Sequence, residues 1–240
     1  MKVLCWGIFM TNQICSVAID GPAGAGKSTI ARRVASALGF VYMDTGAIYR
    51  TVAYAVLKAK LDPADPVAVA EYLLSITITP IWDESGAQHM LLCGEDVTAY
   101  IRSPEVSQNA SVVAAIPKVR EFLLETQRSV AREYSVLMDG RDIGTVVLPN
   151  ADVKIFLTAS AEVRAQRRWL ELQQKNAPDT YEQVLEEMIR RDRRDSEREI
   201  APLRQAEDAI LVDTSHMNLE ESIAAVVTVV KEKCGAKITV

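Results

Sequence analysis

The sequence has few residues of the kinds that stabilise small secreted domains or bind metals. Its four cysteines are widely separated and include no CxxC pair: Cys5, Cys15, Cys93 and Cys234. Its two histidines, His89 and His216, lie outside any cysteine or carboxylate pattern typical of a metal site. We therefore predict neither a zinc site nor a disulfide framework, and isolated thiols suit a reducing cytoplasm.

The sequence also lacks a hydrophobic run long enough to cross a bilayer. The apolar run near its start, residues 3–10, has about eight residues, whereas a spanning helix needs about 20. No small-residue cleavage site of a signal peptide follows it. We interpret residues 1–14 as an N-terminal arm, expect translation to begin at Met10, and predict no membrane association.

An excess of positive charge is absent as well. The formal net charge is -5, so the chain has no general basic field to hold it on nucleic acid. It also has no heptad pattern, which favours a monomer. With 240 residues and 49% hydrophobic residues, the chain can form one domain that carries an insertion.

Short apolar segments alternate with amphipathic segments along the chain. The apolar segments predict strands at residues 16–20, 40–44, 136–139, 153–158 and 210–213. The amphipathic segments predict helices at residues 28–38, 47–60, 118–133, 161–175, 181–200 and 219–233. This alternation is typical of an α/β fold whose parallel sheet has helices on both faces.

The stretch between the second and third of these strands is too long for one crossover helix. Residues 76–82 and 89–93 alternate in strand fashion around the turn-like segment 83–86, which predicts an antiparallel hairpin. We interpret residues 62–115 as an inserted, substrate-side subdomain. Residues 15–61 and 116–235 then form the core.

A phosphate-binding loop follows the first predicted strand directly and precedes the first predicted helix. The segment 21–28, GPAGAGKS, matches the pattern GxxxxGK[ST]. Backbone N–H groups and the helix N-terminus would hold triphosphate oxygens, Lys27 would reach the β- and γ-phosphates, and Ser28 would face Mg²⁺. The predicted ATP-binding residues are Gly21, Pro22, Ala23, Gly24, Ala25, Gly26, Lys27, Ser28 and Thr29.

This loop alone does not distinguish a kinase from an ATPase or a GTPase. The sequence has no Asn-Lys-x-Asp motif for guanine, which disfavours a GTPase. A mechanical ATPase is disfavoured because the extra length forms a compact insert. Kinase chemistry depends mainly on positioning and positive charge around the transferred phosphate, so arginines near the loop are the next candidates.

Charged side chains follow the second and third predicted strands. Thr45 is a predicted helix N-cap, and Arg50 lies about one turn into that helix, where it could hold an acceptor phosphate; a solvated arginine is the alternative. Asp139, Arg141 and Asp142 lie where parallel strands end and ligands usually bind. We predict that Ser28 and Asp139 organise Mg²⁺, although an ordinary polar turn could have the same composition.

The richest run of charge lies at residues 190–198. Helical spacing places Arg191, Asp195 and Arg198 on one face, which could close over bound phosphates. We therefore predict a lid at residues 188–203 and expect Pro202 to end the helix of this lid. The alternative is a solvated helix face with weak ion pairs.

Several blocks of sequence occur in one order over about residues 14–230: IDGPAGAGKST, MDTGAIYR, PKVRE, MDGRDIGTVV, KIFL, RRDRRDSER and APL. In this order they resemble the bacterial-type cytidylate kinases. The resemblance implies a P-loop nucleoside-monophosphate-kinase fold: five parallel strands flanked by helices, an acceptor-binding insert and a short lid without zinc. It also implies ATP-dependent phosphorylation of CMP and dCMP to CDP and dCDP, with ATP and Mg²⁺ as cofactors.

The same resemblance assigns roles to individual residues. It implies that the base and sugar of CMP lie against Thr45, Ser111, Arg120, Asp142 and Arg191, with Asp195 near the ribose hydroxyls. Arg50, Arg141 and Arg198 would face phosphates. With these roles, the catalytic residues are expected to be Lys27, Arg141, Arg191 and Arg198.

Two other functions are compatible with the phosphate loop. One is a kinase with a different small acceptor, such as AMP, UMP or shikimate. The other is a nucleotide-binding regulator without turnover, which would use the loop as a switch. Turnover with a defined acceptor distinguishes both from the cytidylate kinase interpretation.

Overall fold

The computed structural model describes residues 14–235 and residue 237. Its strands are β1 (Ser16–Asp20), β2 (Val41–Asp44), β3 (Ile78–Trp82), β4 (Gln88–Leu92), β5 (Glu95–Asp96), β6 (Val136–Gly140), β7 (Val153–Thr158) and β8 (Ile210–Asp213). Its α-helices are α1 (Lys27–Leu38), α2 (Thr45–Lys58), α3 (Pro66–Leu73), α4 (Pro104–Val113), α5 (Pro117–Glu133), α6 (Ala161–Gln174), α7 (Tyr181–Glu197) and α8 (Leu219–Cys234). A π-helical turn, Ile143–Val147, follows β6.

Five strands form the main sheet, in the order β2-β6-β1-β7-β8, and every neighbouring pair is parallel. One apolar cluster includes buried residues of α2, α4 and α5, and a second lies between the sheet and helices α1 and α8. Both faces are therefore covered, which explains why the strands are nearly continuous apolar runs. The predicted fold class is confirmed.

The strand register brings three aspartates to one edge of this sheet. Asp44 of β2 lies opposite Asp139 of β6, and Gly140 lies opposite Asp20 of β1. All three strands end there, so their last side chains and the loops that follow share one site.

Most predicted elements are confirmed, and two details at helix ends are wrong. Asp44, not Thr45, is the N-cap of α2: its side chain accepts a hydrogen bond from the Ala47 N–H at 3.0 Å. Helix α7 ends at Glu197, before Pro202, and Arg198 has extended backbone torsions. Helices α3 and α4 were not predicted, because each is short and lies in a segment interpreted through its strands.

The insert segment contains a second, three-stranded antiparallel sheet, in the order β3-β4-β5. Trp82 Nε1 donates a hydrogen bond to Tyr42 O at 2.8 Å, and Gln88 Oε1 accepts one from the Asp44 N–H at 2.7 Å. The hairpin therefore attaches to the outer strand β2, whose free edge would otherwise leave unpaired backbone groups.

One prediction about the cysteines is wrong. A disulfide joins Cys15, just before β1, to Cys234, at the end of α8, across a sequence separation of 219. Both side chains are buried, so a reductant reaches the bond only when the protein opens locally. Cys93 is an exposed free thiol. Cys5 and the expected start at Met10 lie outside the described residues.

Helices α6 and α7 form a hairpin beside the main sheet, with a small cluster of Ala165, Val184 and Met188 between them. In the part of the chain that the structure describes, no helix is long and apolar enough to span a bilayer.

Candidate active site

The phosphate loop has the backbone geometry expected from its glycines. A β-carbon on Gly21 would lie 1.9 Å from the carbonyl oxygen of Leu157, so only glycine fits beside β7. Gly26 has φ of 81°, a left-handed conformation that glycine adopts without strain, and α1 begins at the next residue. The helix N-terminus therefore points its free N–H groups into the loop.

Lys27 is the buried cation of this loop, with 5% of its surface exposed. Its Nζ donates a hydrogen bond to Pro22 O at 2.6 Å, within the loop itself. Burial and the charge of Arg141 lower its pKa well below the usual value, while Asp139 and Asp20 act in the opposite direction. A phosphate in the loop would provide the negative charge that this buried ammonium group needs.

Asp139 accepts two hydrogen bonds at the end of β6. Ser28 Oγ donates to its Oδ2 at 2.7 Å, and the hydroxyl of Tyr42 donates to its Oδ1 at 2.9 Å. Burial raises the Asp139 pKa, and the charge of Asp44 adds to this effect. Tyr42 was not predicted as a site residue, because an aromatic side chain in an apolar strand has the pattern of an ordinary core residue.

The donor atoms of Ser28 and Asp139 suit magnesium. Among the described residues, no group of three or more histidine, cysteine, aspartate or glutamate side chains could form an all-protein metal site. Mg²⁺ does not require one, since it usually takes one or two carboxylates, phosphate oxygens and water. A serine hydroxyl and a carboxylate beside the phosphate loop fit that requirement.

Asp20 holds the segment that carries Arg141 and Asp142. Its two carboxylate oxygens accept hydrogen bonds from the N–H groups of Ile143 and Gly144, each at 2.7 Å. Burial raises the Asp20 pKa to about 6, although these N–H bonds favour the ionised form. Asp20 was not predicted as a site residue, because the glycine loop after it explains why the strand ends there.

This carboxylate makes stability depend on pH. The Asp20 pKa is about 6 in the folded protein and 3.8 in the unfolded chain. Its favourable contribution to the free energy of unfolding is therefore fully present below pH 3.8 and is lost as the pH rises through 6. Relative to Asp20→Asn, the free energy of unfolding of the wild type should fall by about 2 kcal/mol between pH 4 and pH 7. Guanidinium unfolding of both proteins across this range measures the difference, and parallel pH profiles would contradict the expectation.

Four predicted arginines make ion pairs with three aspartates near this edge. Arg50 contacts Asp44 at 2.7 Å, and Arg141 contacts Asp195 at 2.8 Å. Both Arg120 and Arg198 contact Asp142, the latter at 3.4 Å. The structure thus brings together residues from β2–α2, α5, the β6 loop and α7.

These carboxylates titrate differently. Burial raises the Asp142 pKa, and the nearby charges of Arg120 and Arg198 offset only part of this effect. At Asp195, burial also favours the neutral form, but Arg141, Arg191 and Arg198 together outweigh it and the pKa lies below the usual value. Asp195 therefore provides a negative charge at neutral pH that holds Arg141 to helix α7.

Two of the predicted arginines, Arg191 and Arg50, each have an unused hydrogen-bond donor within the described residues. The unused donor is the buried Nε of each side chain. Burial lowers the Arg191 pKa, and the charge of Arg141 lowers it further. An arginine that has an unused N–H donor and lies among other positive charges is suited to bind an anionic ligand.

Two predicted hydroxyls are engaged inside the protein. Thr45 is buried, and its Oγ1 donates to Asp139 O at 2.7 Å. Ser111 lies half-buried on α4 and donates to Gln108 O at 3.0 Å within its own helix. Arg102 was not predicted, but its Nη2 lies 3.5 Å from Asp44 Oδ2, on the carboxylate that also holds Arg50.

Known proteins resemble this chain over nearly its whole length. The family model described as cytidylate kinase matches residues 17–232. A cytidylate kinase from an Exiguobacterium species is 50% identical over 216 residues, which cover 90% of this chain and 96% of that protein. One from Caldicellulosiruptor bescii is 53% identical, covering 88% of this chain and 93% of that protein. One from Lactiplantibacillus plantarum is 46% identical, covering 95% of this chain and 100% of that protein.

Solved structures resemble the chain more weakly. A shikimate kinase from Bacteroides thetaiotaomicron covers 92% of this chain, with 15% sequence identity and a TM-score of 0.44. A likeness at this level supports no conclusion about the acceptor.

Proposed function

The chain belongs to the cytidylate kinase family, and from this premise we propose that it transfers the γ-phosphate of ATP to CMP and dCMP, giving ADP with CDP or dCDP. The observation that carries the proposal is the position of Arg191. Its buried, unpartnered Nε lies on α7, in the same electrostatic environment as Arg141 and Lys27. A phosphate loop and an arginine cluster at one sheet edge suit transfer between two phosphates.

On the donor side, the N–H groups of residues 21–29 bind the phosphates of ATP. Lys27 leaves the carbonyl of Pro22 and contacts β- and γ-phosphate oxygens, where its charge is most stabilising as negative charge spreads. Ser28 and Asp139 hold Mg²⁺, which supplies positive charge against the phosphate oxygens when bound.

On the acceptor side, Arg50, Arg141 and Arg198 bind phosphate. The base and sugar of CMP lie against Thr45, Ser111, Arg120, Asp142 and Arg191, with Asp195 near the ribose hydroxyls. Lys27, Arg141, Arg191 and Arg198 stabilise the transferring group. The reaction requires no general base, since the acceptor phosphate is largely ionised near neutral pH.

The proposed division of the chain follows from these roles. Residues 15–61 and 116–235 form the kinase core, residues 62–115 bind the acceptor nucleotide, and residues 188–203 act as a lid. When the lid is closed, water is excluded from the active site and phosphate transfer to CMP is favoured over hydrolysis of ATP. The acidic chain acts as a cytoplasmic monomer on free nucleotides, not on nucleic acid or membranes.

Turnover with a panel of acceptors tests the proposal. Purified protein with Mg-ATP is mixed separately with CMP, dCMP, UMP, AMP, GMP or shikimate, and ADP release is measured. We expect fast release with CMP and dCMP only, and its loss in Lys27→Ala. Turnover with a different acceptor would replace the acceptor assignment, and ATP binding without turnover with any of the six would indicate a nucleotide-binding regulator.

A further inference from the structure

Arg164, on helix α6, contacts three different parts of the donor side. Its side chain is 6% exposed. Nε donates to Ala159 O at 2.8 Å, just before the N-cap of its own helix, and Nη1 donates to Ala23 O of the phosphate loop at 2.9 Å. Nη2 donates at 2.6 Å to Asp192 Oδ2, on the proposed lid helix α7. One buried guanidinium thus joins the phosphate loop to the lid.

The contact with Ala23 determines the direction of a phosphate-binding group. The C=O of Ala23 and the N–H of Gly24 belong to one planar trans peptide, in which they point in opposite directions. Because the carbonyl faces Arg164, the Gly24 N–H points away from Arg164. In a loop of this pattern, backbone N–H groups bind phosphate oxygens. Arg164 therefore fixes the orientation of a backbone N–H group in the predicted ATP-binding loop.

The lid helix also packs directly on the loop. A β-carbon on Gly24 would lie 2.8 Å from Met188 Cε and 3.3 Å from Arg164 Cβ, so the loop has no free space on this side. Met188, Asp192 and Asp195 lie on one face of α7 at helical spacing. The first two contact the donor side, and Asp195 contacts Arg141 on the acceptor side.

The second oxygen of Asp192 supports a specific role for this carboxylate. Its Oδ1 is buried and has no hydrogen-bond partner among residues 14–235 and 237, so the hydrogen bonding of this carboxylate within these residues is through Oδ2, to Arg164. Other acidic residues of the same helix are used differently: Glu197 pairs with Arg193, and both side chains are more than 60% exposed.

We propose that Arg164 and Asp192 are a pair of positioning residues. Through this pair, the closed lid holds the Ala23–Gly24 peptide in its phosphate-binding orientation. When Asp192 is in place, the guanidinium is held at all three contacts and the Gly24 N–H keeps this orientation. When the lid moves away, Arg164 loses one anchor and the loop loses this constraint. ATP affinity therefore depends on the lid position. This inference rests on the proposed kinase function, since it concerns the donor site of that reaction.

Binding measurements on variants test the pair without relying on turnover. Asp192→Ala is expected to raise the Kd of Mg-ATP roughly tenfold, a typical size for coupling between two sites, while the Kd of CMP alone changes less than about twofold. Arg164→Met should have an effect of similar size, and the double variant should be no weaker than either single one, because both changes remove the same contact. Titration calorimetry gives both constants, and circular dichroism verifies that each variant is folded.

Arg193→Met is the matched control, since it removes an exposed ion pair from the same helix one residue further on. It should leave both Kd values unchanged. The proposal is overturned if Asp192→Ala leaves ATP affinity intact, if the two single effects multiply in the double variant, or if CMP affinity falls equally. If Arg164→Met does not fold, Asp192→Ala decides alone. ATP binding that depends on the pair, in a protein that does not phosphorylate CMP, would retain this inference and reject the proposed function.

Discussion

Replacing Lys27 with alanine is expected to reduce kcat by about 10²–10³-fold, the usual cost of removing one preorganised donor to the transition state. The ammonium group is buried, and burial together with Arg141 already lowers its pKa. Its bond to Pro22 O shows that it can reach across the loop, where a phosphate would replace that weaker acceptor. The effect should fall mainly on kcat, because negative charge on the β–γ bridge grows as the bond breaks.

Lys118→Ala is the control for this change. Lys118 forms an exposed pair with Glu121 on α5, and both side chains are more than 60% exposed. Steady-state kinetics with CMP and Mg-ATP should show no effect of this variant. If Lys27→Ala retained full activity, the assignment of residues 21–28 as the catalytic donor loop would be wrong.

Replacing Arg191 with methionine should separate activity from stability. We expect kcat with CMP to fall by about 10²–10³-fold, since the proposed mechanism assigns Arg191 to the stabilisation of the transferring phosphate. Thermal stability of the free protein should stay unchanged or rise. The buried Nε of Arg191 has no hydrogen-bond partner in the described part of the chain, and the side chain lies in the field of Arg141, so its removal relieves an unfavourable charge.

Arg190→Met provides the comparison, because Arg190 is the preceding residue of α7 and is exposed. It should change neither kcat nor the unfolding temperature. Thermal unfolding and initial rates are measured on the same preparations. If Arg191→Met lost stability together with activity, Arg191 would be part of the folded scaffold and not a ligand for phosphate.

The parts of the site that could be predicted from sequence are those with local signals. The phosphate loop has its glycines, Lys27 and Ser28 in one short segment between a strand and a helix. Asp139 and Arg141 follow an apolar strand, and parallel strands place such residues at one edge of the sheet. Each inference needed only neighbouring residues and a general rule of α/β folds.

The missed residues act through contacts between distant segments. Tyr42 donates to Asp139 across 97 positions, and Asp20 accepts from Ile143 across 123 positions. Neither residue has an unusual neighbourhood in the sequence: Tyr42 lies in an apolar run, and Asp20 ends a strand. Asp44 illustrates a finer limit, since Asp44 and Thr45 are both good N-cap residues and only the backbone geometry selects the first.

The disulfide between Cys15 and Cys234 also determines how the protein responds to a pulling force. Because it joins the start of β1 to the end of α8, a force applied at residues 14 and 235 passes through the sulfur–sulfur bond and bypasses the chain between them. The sheet, the phosphate loop and α7 then carry almost none of the load, and the protein should extend little before a covalent bond breaks. After reduction, the same pull acts on the fold itself and can release about 750 Å of extended chain. The bond therefore diverts force from the fold, because it joins residues near the two ends of the described segment 14–235.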